Sequence, residues 1–77
     1  MNAPLRHPLQ TGSREELFGF VAENVANCMV ELQHALDYAD SASLTGLGFA
    51  LRRASAHFTA AVTNYRDLLA QKEVTHG

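Results

Sequence analysis

The stretch Leu44-Thr-Gly-Leu-Gly-Phe-Ala-Leu-Arg-Arg-Ala-Ser-Ala-His-Phe-Thr-Ala-Ala-Val-Thr-Asn-Tyr-Arg-Asp-Leu-Leu69 decides the fold. Leu44, Leu47, Leu51, Ala54, Phe58, Ala61, Tyr65 and Leu68 recur at alternating three- and four-residue spacing. That rhythm is one face of an α-helix packed lengthwise on other helices. Val62 and Leu69 widen the same stripe.

The segment before it repeats the pattern. Phe18, Val21, Val25, Cys28, Leu32, Ala35 and Ala39 keep the spacing, with Ala22, Met29 and Leu36 alongside. A stripe three positions wide per heptad suits a bundle helix better than a two-stranded coiled coil. Ser13-Arg14-Glu15-Glu16 opens it as a capping box: the Ser13 hydroxyl accepts from the Glu16 amide, and the Glu16 carboxylate reaches back. Helix 1 is therefore expected over about 13–40. Asp40-Ser-Ala-Ser43 breaks the run with turn- and cap-prone residues. Helix 2 is expected over about 43–72; Gly46 and Gly48 weaken its first turn and make a start near Phe49 the alternative boundary.

Pro4, Pro8 and Gly12 mark residues 1–12 as a flexible leader rather than an element, and 73–77 as a tail. The leader lacks the apolar run of a signal peptide, and no stretch reaches the length of a spanning helix, so a cytoplasmic protein without a membrane partner is the expectation. The scattered β-branched residues never alternate over a strand's length. The chain is thus expected to be all-α, an antiparallel two-helix hairpin forming the single domain 13–72.

A lone hairpin of 77 residues buries only the inner edge of each stripe. The expected remedy is a homodimer, two hairpins closing a four-helix bundle. Its stripe comprises Phe18, Val21, Val25, Cys28, Leu32 and Leu36 on helix 1, and Leu44, Leu47, Leu51, Phe58, Val62, Tyr65, Leu68 and Leu69 on helix 2. Small residues at Ala22, Gly48, Ala54, Ser55 and Ala61 would let backbones approach closely. Helix 1 is acidic (Glu15, Glu16, Glu23, Glu31, Asp37 and Asp40 against Arg14), whereas helix 2 carries Arg52, Arg53, Arg66 and Lys72 against Asp67 and Glu73. Opposite charge on the two helices sets orientation more than stability, since exposed pairs contribute about 0–1 kcal/mol each.

Chemistry-bearing patterns are sparse. Cys28 lies on the stripe, where a free cysteine behaves as a small apolar residue. A nucleophile would need an activating base and exposure; His57 stands at a comparable height, but no third group accompanies it. His7, His34, His57 and His76 show no helical pairing with one another. No phosphate loop, zinc spacing or catalytic triad order occurs, so no enzyme, metal or cofactor is expected.

Candidate partner-binding residues lie off the stripes: Phe20 on helix 1, and Phe49, Arg52, Arg53 and Arg66 on helix 2. Phe49, Ala56 and Ala60 follow one outer face edged by Arg53, a reasonable protein-docking surface. The expected function is regulation by protein contact, as an adaptor, inhibitor or antiactivator of a larger partner. The runner-up is an RNA- or DNA-binding dimer using Arg52 and Arg66, which share a face two heptads apart. It is similar to the Rop-type hairpin dimers in architecture alone. A net charge of −2 and so few basic side chains argue against it, because backbone binding needs several phosphate contacts. A structural subunit of a larger assembly is the third expectation.

Overall fold

The computed structural model describes residues 13–76, with side chains through residue 71. The expected leader, residues 1–12, lies outside the described residues, as does Gly77. The fold is two helices, α1 (Arg14–Asp40) and α2 (Leu44–His76), folded back on one another. α2 continues to His76, past the end expected near 72, because no proline or glycine interrupts the chain before Gly77.

Local signals set both ends of α1. The Glu16 amide donates to Ser13 Oγ at 3.1 Å, and the Ser13 amide donates to Glu16 Oε1 at 2.9 Å. This reciprocal pair satisfies two of the otherwise orphaned amides of the first turn. At the other end the Ser43 amide donates to the Tyr38 carbonyl at 2.8 Å and the Ala42 amide to the Ala39 carbonyl at 3.1 Å. These are the two bonds of a Schellman stop, whose pivot residue takes a left-handed backbone. The pivot is Ala42, at φ 57°.

Ser43 then serves the next helix. Its hydroxyl accepts from the Gly46 amide at 3.3 Å, and its carbonyl accepts from Leu47 at 2.9 Å. One residue closes α1 and caps α2, so the reversal is tight and the helices are antiparallel neighbours. Gly46 has a packing role that propensity alone misses: a Cβ there would overlap the Tyr38 ring. The ring lies against the first turn of α2 at Gly46, where no side chain projects.

The seam between the helices is rotated from the centre of the apolar stripe. Six residues of α1 are buried or half-buried: Leu17, Val21, Asn24, Cys28, Glu31 and Ala35. The rest of α1 is exposed. α2 answers with Leu47, Ala50, Ala54, His57, Ala61, Asn64 and Leu68. Only half of the expected stripe therefore faces inward. Val21, Cys28 and Ala35 lie on the seam, as do Leu47, Ala54, Ala61 and Leu68; Phe18, Val25, Leu32, Leu44, Leu51, Phe58 and Tyr65 do not. The physical reason is reach. Alanines at 35, 50, 54 and 61 let the two backbones come close, and polar residues at 24, 31 and 64 find partners across the gap.

Candidate functional site: an apolar face and a polar back

Each helix turns about 100° per residue, so the position after each seam residue points to one side of the hairpin. In an antiparallel pair those sides coincide. α1 contributes Phe18, Val25, Met29, Leu32 and Leu36 to this face; α2 contributes Leu44, Leu51, Phe58, Tyr65 and Leu69. All ten are exposed, Met29 at 64% and Leu44 at 83% of their full surface. Val62 is half-buried beside them. Soluble monomers rarely leave an apolar patch larger than a few hundred square ångströms open. This one runs the length of two helices, about 40 Å by about 20 Å.

The opposite side mixes charged and small residues with the exposed Phe20, Val30 and Phe49, and it is partly organised. Arg53 Nε donates to Glu31 Oε2 at 3.0 Å, and His34 Nδ1 lies 3.3 Å from Glu31 Oε1. Glu31 is only 8% exposed. Its carboxyl is held below the ordinary value of 4.5, first by the Arg53 hydrogen bond, against an opposing effect of burial, with a smaller contribution from His34. The Arg53 guanidinium also lies over the Phe49 ring, 5.5 Å from its centroid. Nearer the free end of the seam, Asn24 Nδ2 donates to Asn64 Oδ1 at 2.9 Å.

The expected partner-binding residues are thus dispersed. Phe49 and Phe20 are exposed on the polar side, at opposite ends of the hairpin. Arg53 is engaged by Glu31 and Phe49, so it serves the hairpin itself. Arg52 and Arg66 are exposed on the outer edge of α2, and among the described residues neither forms an ion pair within its chain.

Comparison with family models, with curated proteins and with solved structures returns no match to this chain. Its own surface is the guide to function. Among the described residues no helix is long and apolar enough to cross a membrane, and no group of three histidine, cysteine or acidic side chains converges to hold a metal. Cys28 and His57 are both half-buried on the seam. At the turn, Tyr38, Ala39, Ala42, Ser43, Leu44 and Leu47 line an open hollow of about 300 Å³.

Sequence reasoning overlooked Asn24, Asn64 and the special place of Glu31. A signal was available: Glu31 and Arg53 stand eleven residues on either side of Ala42, so opposite charges at equal distance from a turn meet when the chain folds back.

Proposed function

We propose that this protein is a small cytoplasmic regulator that acts by protein–protein contact, as an adaptor, inhibitor or antiactivator of a larger partner, and that it does so as a homodimeric four-helix bundle. The observation that carries the reading is the row of ten large apolar side chains left open along one face. A face of about 800 Å² per partner matches the half-interface of a standard stable complex. Apart from Arg14, whose guanidinium lies over the Phe18 ring, the large side chains on it are apolar, and Leu, Met, Phe and Tyr make up most of them, the composition of a helix-bundle core rather than of a catalytic cleft. The reading assigns the protein no catalytic role and no cofactor.

Closing two such faces on each other leaves the polar backs, with Phe49 and Phe20, outward on both sides of the bundle for the larger partner. Phe49→Asp is the variant that tests that second surface, because it changes the back without touching the apolar face. Arg53→Glu is unsuitable, since it would set a second carboxylate against Glu31.

The deciding experiment for the dimer is solution mass by light scattering at micromolar concentration, with helix content by circular dichroism. A helical species of twice the 8.4 kDa chain mass, reduced to one chain by Phe58→Glu, supports the reading. A fully helical monomer that Phe58→Glu leaves unchanged sinks the homodimer.

A further inference from the structure

We infer that the two copies pair with their hairpin turns at the same end of the bundle, so that α1 of each lies on α2 of the other. The inference rests on the homodimer reading above and adds its topology. Two face-to-face arrangements obey two-fold symmetry. One axis runs along the helices and stacks α1 on the partner's α2, turns together. The other runs across them and stacks like helix on like helix, turns at opposite ends. The apolar side chains fill either arrangement, so they do not choose.

Charge chooses. On α1, Glu15 and Asp40 edge the apolar face, and Asp37 lies one step further round. On α2, the corresponding edge carries Arg52 and Arg66, with no acid among the described residues there. Two bonds across the seam, Asn24–Asn64 and Glu31–Arg53, set the height of one helix against the other. Counting midway between them at 1.5 Å per residue, Arg52 stands about 5 Å from the height of Asp37, and Arg66 about 8 Å from that of Glu15. Turns together therefore sets each basic edge along an acidic one.

Turns apart does the reverse. Centring the overlap of the apolar faces puts the two-fold near residues 57–59 of α2, which brings Arg52 within roughly 6 Å in height of Arg66 on the second copy, twice per dimer. The acidic edges of α1 then oppose each other as well. Like charges set face to face are a device that excludes wrong pairings.

The test is a spin-label distance in the full-length protein carrying Thr45→Cys in a Cys28→Ala background. Thr45 is exposed in the first turn of α2. Turns together places the two labels within about 30 Å; turns apart places them about 40 Å apart along the bundle. A second, cysteine-independent variant is Arg52→Glu. It should weaken dimerisation roughly three- to tenfold at low salt, with the difference vanishing at high salt, if α1 faces α2. Tighter dimerisation of Arg52→Glu, or labels near 40 Å, overturns the topology while the homodimer stands. A monomeric mass overturns both.

Discussion

Glu31 and Arg53, equidistant from the turn, meet at 3.0 Å across the seam, and the carboxylate is nearly closed to solvent. Because Arg53 holds the Glu31 carboxyl below 4.5, the folded state favours the charged form. Stability from this group is present above that ordinary value and is lost as pH falls through the lower folded one. The melting temperature of the native chain should therefore begin to fall once the pH drops below that ordinary value. Glu31→Gln should melt lower at pH 7 and show a flatter acid limb. An acid limb identical to that of the native chain would refute the assignment.

Asn24 and Asn64 make a second polar contact in the seam. Asn24→Leu or Asn64→Leu leaves the other amide half-buried without its partner, which costs about 1–2 kcal/mol. Replacing both with leucine removes both polar groups and should recover most of that loss. Urea unfolding of these two single variants and the double, at one protein concentration, gives the coupling. Strictly additive losses would mean the bond contributes nothing.

Ala42 holds φ at 57°, a backbone that carries a steric penalty for every residue with a Cβ. Ala42→Gly removes the penalty while keeping the Schellman bonds, and should raise stability by about 0.5–1 kcal/mol. Equal or lower stability in chemical denaturation would contradict that turn geometry.

Gly46 presents the opposite case. By helix propensity, Gly46→Ala gains up to ~1 kcal/mol. The Tyr38 ring occupies the space the methyl would need, so the substitution should instead destabilise the native chain. In a Tyr38→Ala background the same change should stabilise. A stabilising Gly46→Ala with Tyr38 in place would show that the ring does not need that turn.

Much of this molecule is legible along the chain. Ser13 and Glu16 announce the start of α1 as a capping box, and both hydrogen bonds form within four residues. The break at 40–43 works the same way, with Ser43 ending one helix and capping the next. These contacts are local, so residue identity and spacing suffice to read them.

What the sequence determined by itself is two amphipathic helices, a short reversal between them and an apolar stripe broader than one neighbour can cover. Only the tertiary structure decided the rotation of each helix about its own axis. Leu32 and Leu51 look as core-like in the sequence as Cys28 and Leu47, yet they face outward. The choice went to the edge with Ala35, Ala50, Ala54 and Ala61, because small residues bring the backbones close enough for Asn24 to reach Asn64 and Arg53 to reach Glu31. Those partners are 40 and 22 residues apart in the chain, so no local periodicity encodes their meeting. The bulky half of the stripe was left on the surface, where it forms the face that a second copy is proposed to cover.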